Sequence, residues 1–240
     1  MREKFEAAKM DQSTAERLRL TALSIVEKIR NLKRSWAERY ESLGAGVRFL
    51  CFLLCGCYVP VFLLWSGIIP FAYRFHTMYV VLALYGMYVY YRQYRFSELG
   101  YTTDHLGFSL FWNSIFLASS AICMYLASQT PLLRLDSGSY LPYGYACYVF
   151  FIAPVQELIF RGIFFAEMRR AGIVNQGFAV IVSALSFCFL HIIYNDLLLL
   201  IISFLGGLIW GTIFIKGPNL WGVTLSHSLL GALAMFLGVI

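Results

Sequence analysis

The chain of 240 residues is 60% hydrophobic and 13% charged, with a mean hydropathy of +0.68 and a formal net charge of +6. A soluble domain of this length could not bury so much apolar surface, so the composition excludes an ordinary water-soluble globular protein. The positive charge lies beside the apolar segments, which indicates membrane topology rather than nucleic-acid binding.

Residues 1–43 are predicted to form a cytoplasmic amphipathic helix next to the membrane. They lack the short apolar stretch and small-residue cleavage site of a secretory signal. The helix could lie on lipid headgroups, or it could form a short coiled coil with a partner, including a second copy of the chain. Its apolar residues, which recur at spacings of four and three except at Arg39, are Leu18, Ala22, Ile25, Ile29, Leu32, Trp36 and Leu43.

Residues 44–240 are predicted to form a polytopic membrane bundle of about seven helices, an all-α fold. Each apolar run has about twenty residues, enough to cross a hydrocarbon layer of roughly 30 Å at about 1.5 Å per residue. The lipid bilayer is therefore a predicted partner. The predicted spans are 47–69, 76–91, 107–128, 145–170, 177–194, 197–215 and 219–239.

The distribution of basic residues predicts the orientation of this bundle. Ten of the 19 Lys and Arg precede the first span. Arg92 follows the second span, Arg169 the fourth and Lys216 the sixth, whereas the alternate loops hold only Arg74 and Arg134. Because positive residues concentrate on the cytoplasmic side, we expect a cytoplasmic N-terminus and, with seven spans, a C-terminus on the opposite side.

The fourth predicted span contains three polar residues, Gln156, Glu157 and Arg161, in an otherwise apolar sequence. A charged side chain at a helix centre costs about 2.5–3.5 kcal/mol on insertion scales, so these groups must face the bundle interior or a water-filled cavity. Glu157 and Arg161 are four residues apart and lie on one helix face. The pair could be an ion pair that orients the bundle, or part of a chemical site.

Two histidines lie in later spans. If the fourth and fifth spans form a hairpin that turns at residues 172–176, Glu157 and His191 lie at the same depth, since each is 17 residues from Val174. His227 lies in the last span, between Ser226 and Ser228, and its depth depends on helix tilt.

One carboxylate and two imidazoles permit two kinds of chemistry. A general base could activate water for attack on a carbonyl while imidazole shares the proton transfer and stabilises the oxyanion. The same groups could instead bind zinc with an open water position. No H-E-x-x-H pattern joins them, so no metal or cofactor is predicted, and zinc stays an open alternative.

Residues 142–239 resemble the CPBP family of intramembrane proteases, which includes the CAAX prenyl endopeptidase and bacterial Abi-type proteins. The family pattern is E-E-x-x-x-R, then F-x-x-x-H, then H-x-x-x-N or Asp. The corresponding residues are Gln156, Glu157 and Arg161, then Phe187 and His191, then His227 and Gly231. The resemblance implies a glutamic-type endopeptidase for membrane proteins or peptides, in which the first Glu and the F-x-x-x-H histidine activate water. The last histidine and the Asn would stabilise the oxyanion.

The chain departs from this pattern at two positions. Gln156 replaces the first Glu and cannot act as a base, and Gly231 replaces the Asn, which removes a hydrogen-bond donor. Three interpretations stay open: an active endopeptidase that uses Glu157, an impaired relative that binds membrane partners as a scaffold, and a proton-coupled transporter. The absence of an internal repeat of spans argues against the transporter.

Overall fold

The structure is a computed structural model that describes residues 20–34, 44–129 and 142–238. The chain divides into two compact units, Met1–Arg48 and Phe49–Ile240. In the first unit, residues 20–34 form a helix, α1, within the predicted amphipathic segment; residues 1–19 and 35–43 of that prediction lie outside the described residues. The predicted domain boundary after residue 43 stays a prediction.

The described residues after position 43 are helical apart from short connections, which confirms the all-α fold. Two short 3-10 turns lie in the connections, at Phe71–Tyr73 and Phe96–Leu99, and a third, Leu190–Tyr194, extends α6. The helices are α2 (Ala45–Trp65), α3 (Arg74–Arg92), α4 (Leu106–Ser128), α5 (Pro142–Arg170), α6 (Gln176–Phe189), α7 (Leu197–Lys216) and α8 (Leu220–Phe236).

A helix lies at each of the seven predicted spans, but the helices differ in how well they suit a bilayer. Five are long and apolar enough to cross a membrane: α2, α4, α5, α6 with its extension, and α7. Helix α8 is apolar but has only 17 residues. Helix α3 is long enough but too polar to qualify, because it contains Arg74, His76 and five tyrosines. The chain is an integral, polytopic membrane protein.

Polar side chains cap the last three helices and explain where they begin. Asn175 accepts a hydrogen bond from the backbone N–H of Phe178 and so starts α6. Asp196 caps α7 in the same way, and Asn219 accepts from two backbone N–H groups at the start of α8. Such caps satisfy backbone donors that a helix N-terminus leaves without partners.

Asn219 also joins α8 to the connection that precedes α4. Its side-chain Nδ2 donates to the carbonyl oxygens of Thr102 and Asp104, at 2.7 and 3.0 Å. The backbone N–H of Leu220 donates to the carbonyl of Gly100 at 2.8 Å. The start of α8 is therefore held by hydrogen bonds to residues outside the helix.

Helix α5 is not a regular α-helix. It contains two π-helical segments, Tyr148–Ile152 and Leu158–Ile163, on either side of the short α segment Ala153–Glu157. Pro154 has no N–H and its ring crowds the carbonyl four residues earlier, which accounts for the widened turn before it. Such π segments occur frequently at functional sites because they change the direction in which side chains point.

Helices α6 and α7 approach each other closely and pack with α5 in the interior of the bundle. A Cβ placed on Gly207 would lie 3.0 Å from the Cα of Ala184, so glycine permits this contact. Aromatic side chains of α5, α6 and α7 fill the space between the helices. The buried aromatic residues are Phe160, Phe164, Phe165, Phe187, Trp210 and Phe214.

Candidate active site

Glu157 and His227 form the centre of the polar site. Both side chains are buried, with 0% and 3% of the surface of each residue exposed. The Nδ1 atom of His227 lies 2.6 Å from Oε1 of Glu157. A carboxylate oxygen only accepts, so Nδ1 carries the hydrogen, and the lone pair of a neutral imidazole is then on Nε2. This arrangement makes Nε2 the basic atom of the pair.

Arg161 balances the charge of Glu157. Its Nη1 donates to the same oxygen, Oε1, at 3.1 Å, and its Nη2 donates to the carbonyl of Gly207 at 3.4 Å. The guanidinium carbon lies 4.6 Å from the ring centroid of Phe187 and 5.6 Å from that of Trp210. The positive charge is therefore held by an anion, a carbonyl and two aromatic faces, which makes its burial tolerable.

The imidazole of His227 is fixed in orientation by Trp210. The two rings pack with their centroids 4.5 Å apart and their planes at 31°. The indole N–H of Trp210 donates to Ser226 Oγ at 2.8 Å, and that hydroxyl lies 2.9 Å from Oδ1 of Asn113 in α4. A buried hydrogen-bonded chain thus holds the indole, and the indole holds the imidazole.

Tyr148 contacts the other end of His227. Its hydroxyl lies 3.1 Å from Nε2, where a neutral imidazole accepts. The same hydroxyl lies beside Gly231, one turn after His227, and a Cβ added at Gly231 would overlap the tyrosine ring. The space that the resemblance assigns to an Asn side chain is therefore filled by a phenol from α5.

His191 packs against the ring of Phe187, as His227 does. The ring centroid of Phe187 is 5.0 Å from that of His191 and 5.3 Å from that of His227. Nδ1 of His191 lies 3.0 Å from the carbonyl oxygen of Phe187, which only accepts, so the lone pair is on Nε2. Within the described part of the chain, no hydrogen bond joins His191 to Glu157. That His191 lies at the depth of Glu157 stays a prediction, and the imidazole that contacts Glu157 is that of His227.

Three polar atoms of α5 are buried and have no hydrogen-bond partner among the described residues. They are Oε1 of Gln156, Oε2 of Glu157 and Nε of Arg161. Buried polar atoms are nearly always paired in folded proteins, with protein groups or with ordered water. Gln156 makes no hydrogen bond to either histidine, whereas Glu157 contacts one of them directly.

The structure also shows how the residues that could bind a metal are arranged. Across residues 20–34, 44–129 and 142–238, no three His, Cys, Asp or Glu side chains are grouped so that they could hold an ion. Glu157 and His227 are hydrogen-bonded to each other, and His191 contacts the ring of Phe187.

Sequence reasoning did not identify two residues of this site, Tyr148 and Trp210. Each contacts His227 through its aromatic side chain. In a chain with 16 tyrosines and five tryptophans, neither residue differs visibly from those that anchor helices at the membrane surface. The substitution of glycine at position 231 was the one available signal, because it leaves space beside a histidine.

Comparison with known proteins supports the family resemblance. Residues 138–233 match the family described as type II CAAX prenyl endopeptidase Rce1-like. No curated protein and no solved structure matches the chain. The matched segment contains the residues of the polar site from Tyr148 to Gly231, and Asn113 of α4 lies outside it. The match confirms the predicted resemblance to the CAAX-protease-like membrane proteins.

Proposed function

We propose that this chain, whose residues 138–233 match the type II CAAX prenyl endopeptidase family, is an intramembrane endopeptidase with the Glu157–His227 pair as its base. The hydrogen bond of 2.6 Å between Nδ1 and Oε1 carries the proposal. It joins a buried carboxylate to an imidazole whose second nitrogen is the proton acceptor. A carboxylate in this position stabilises the imidazolium that forms when a base takes a proton.

The reaction uses water as the nucleophile. Water gives a proton to Nε2 of His227 while its oxygen attacks the carbonyl carbon of the scissile peptide bond, and the carbonyl π electrons move to oxygen. The tetrahedral intermediate then collapses as the C–N bond breaks. The proton on Nε2 passes to the leaving amine, which gives an amine and a carboxylic acid and restores the neutral imidazole.

His191 supplies a second imidazole to the same site. Its Nδ1–H is held by the carbonyl of Phe187, so Nε2 can accept a hydrogen from the attacking water. Two acceptors on one water orient its lone pair toward the carbonyl carbon. In this proposal Gln156 is not the base, and the loss of the first Glu of the family pattern does not abolish hydrolysis.

The substrate that we propose is a membrane-associated peptide or protein. The matched family is described as one of CAAX prenyl endopeptidases, and a prenylated C-terminal peptide is therefore the first probe. Such a chain end partitions into the bilayer through its lipid, which brings the peptide bond to a site buried among membrane helices. We retain the cytoplasmic N-terminus and the opposite C-terminus as part of this proposal.

The test is cleavage of a farnesylated CAAX peptide by the purified full-length protein in lipid vesicles. We expect Glu157→Gln to lower kcat by about 10³–10⁴-fold, because the amide cannot stabilise the imidazolium. His227→Asn should lower kcat by about 10²–10⁴-fold, since it removes the base. His76→Asn, which changes an imidazole of α3 outside the site, is the matched control and should leave the rate unchanged.

Two results would overturn the proposal. If wild-type protein binds the peptide without cleaving it, the chain is an impaired relative that serves as a binding or scaffold protein. If the vesicles instead show proton flux that Glu157→Gln abolishes, the site belongs to a proton-coupled transporter. Melting temperatures of every variant distinguish loss of the site from loss of the fold.

A further inference from the structure

Tyr148 contacts the proposed base but has no role in the proposed reaction. Its hydroxyl contacts the imidazole of His227, as do Glu157, Trp210 and Phe187. The proposed reaction assigns roles to the carboxylate and to the imidazole, but the phenol hydrogen has no role in it. A hydroxyl that faces the catalytic nitrogen of a base is well placed to take part in the reaction.

We infer that the Tyr148 hydroxyl donates a hydrogen bond to the oxyanion of the tetrahedral intermediate, in the place left by Gly231. The inference rests on the proposed function, since it assigns a further catalytic residue to that reaction. In the unliganded site, the hydroxyl donates to Nε2 of His227, because the opposite nitrogen of that ring carries the hydrogen. The base is therefore capped by Tyr148 until substrate arrives.

Substrate binding and activation of the base are coupled by this single hydrogen. The carbonyl oxygen of the scissile bond accepts the Tyr148 hydrogen, and Nε2 is then free to accept a hydrogen from water. Once water has given its proton to Nε2, that nitrogen is a donor and no longer accepts from the phenol. The phenol hydrogen therefore stays with the carbonyl oxygen in the same step that places negative charge there.

The backbone of α5 is held in the position that this role requires. Tyr148 begins the first π-helical segment, and the next residue, Val149, accepts a hydrogen bond at 2.9 Å from Ser228 Oγ of α8. Ser228 is the neighbour of His227. The residues that follow Tyr148 and His227 in the chain are thus hydrogen-bonded to each other, in addition to the contact between the two side chains.

Gly231 is the residue that makes room for the phenol. Any side chain at this position would occupy the space of the tyrosine ring, since even a Cβ would overlap it. The tyrosine at position 148 therefore fits only beside a glycine at position 231. An Asn at 231 would require a smaller residue at 148. This mutual exclusion provides a rescue experiment.

The experiment measures kcat, KM and the affinity for a farnesylated peptide aldehyde, whose hydrate resembles the tetrahedral intermediate. Tyr148→Phe should lower kcat by about 10²–10³-fold with little change in KM, and weaken aldehyde binding by the same factor. Tyr143→Phe, an exposed tyrosine of the same helix, is the matched control and should leave both quantities unchanged. Gly231→Ala should reproduce the loss, and Tyr148→Ala combined with Gly231→Asn should recover at least tenfold over Tyr148→Ala alone.

The outcomes separate this inference from the proposed function. If wild-type protein cleaves the peptide and Tyr148→Phe cleaves it equally fast with unchanged aldehyde affinity, the role of Tyr148 is overturned and the endopeptidase stands. If wild-type protein binds the aldehyde but does not cleave the peptide, and Tyr148→Phe weakens that binding, the endopeptidase and the catalytic role of Tyr148 are both overturned and Tyr148 is a binding residue only. If it neither cleaves nor binds the aldehyde, both are overturned.

Discussion

Glu157 and Arg161 form an ion pair in which neither side chain has any exposed surface, with Nη1 and Oε1 3.1 Å apart. Arg170, farther along the same helix, pairs with Glu98 at a similar distance of 3.0 Å, but the side chains of Arg170 and Glu98 are both partly exposed. The two ion pairs therefore differ in burial more than in geometry. Removal of one partner should have very different effects in the two places.

Arg161→Met should lower the free energy of unfolding by about 3–5 kcal/mol, because it leaves the carboxylate of Glu157 buried without its cation. Arg170→Met removes a partly exposed ion pair and should cost at most about 1 kcal/mol. Unfolding of both variants in mixed micelles by titration with a denaturing detergent would measure the difference. Equal effects of the two substitutions would show that Arg161 contributes no more than a surface charge.

Gln156→Glu tests whether the residue at the family's first Glu position limits the rate. If the Glu157–His227 pair is the base, the added carboxylate makes no new interaction in the transition state, and kcat should change by less than about threefold. Gln156→Ala is the companion variant, since it removes the amide without adding charge. General base catalysis contributes about 10²-fold or more to a rate. A rise in kcat of that size in Gln156→Glu, but not in Gln156→Ala, would therefore identify Gln156 as a disabled base.

Gly207→Ala should destabilise the bundle, because its Cβ would press on the backbone of Ala184 and force α6 and α7 apart. Overpacking of this kind costs about 1–3 kcal/mol. Gly86→Ala in α3 is the matched control, since a Cβ there meets no atom within 4 Å. Thermal unfolding in detergent would compare the two, and an equally stable Gly207→Ala variant would contradict the close contact.

Glu98 gives the protein a stability that depends on pH. The backbone N–H of Arg95, together with the guanidinium of Arg170, holds the pKa of this carboxyl below its usual range. Because the folded state favours the charged form, the contribution is complete above the ordinary pKa and is lost as the pH falls through the lowered value. The difference in melting temperature between wild type and Glu98→Gln should therefore shrink from pH 7 toward acid. A constant difference across that range would contradict this effect.

The sequence carried much of the fold because the apolar periodicity of membrane helices is strong. The polar interruptions at Glu157, Arg161 and His227 also stood out, since charged and ionisable groups are rare in membrane spans. Prediction was less accurate for α3, whose tyrosines and polar first turn reduce its suitability for a bilayer. Length and the number of apolar residues alone do not decide whether such a helix spans the bilayer.

The pairing of residues across helices was harder to predict, and the π segments explain part of the reason. Tyr148 and Glu157 are nine residues apart, so a regular α-helix of 3.6 residues per turn would place them on opposite faces. The wider turns of the first π segment change that rotation and let both residues face His227. The depth argument for His191 assumed regular helices in the same way, and it did not anticipate that both histidines pack against the ring of Phe187.

The hydrogen bonds around Asn219 have a consequence for evolution and engineering of this site. They fix the beginning of α8 to the connection before α4, and His227 follows seven residues after Leu220, about 10 Å along the helix. The position of His227 along α8 is therefore set by its distance from a start that residues outside the helix hold in place. Insertion of a single residue between Asn219 and His227 would rotate and lower the imidazole, whereas sequence changes in α2 leave that interval unaltered.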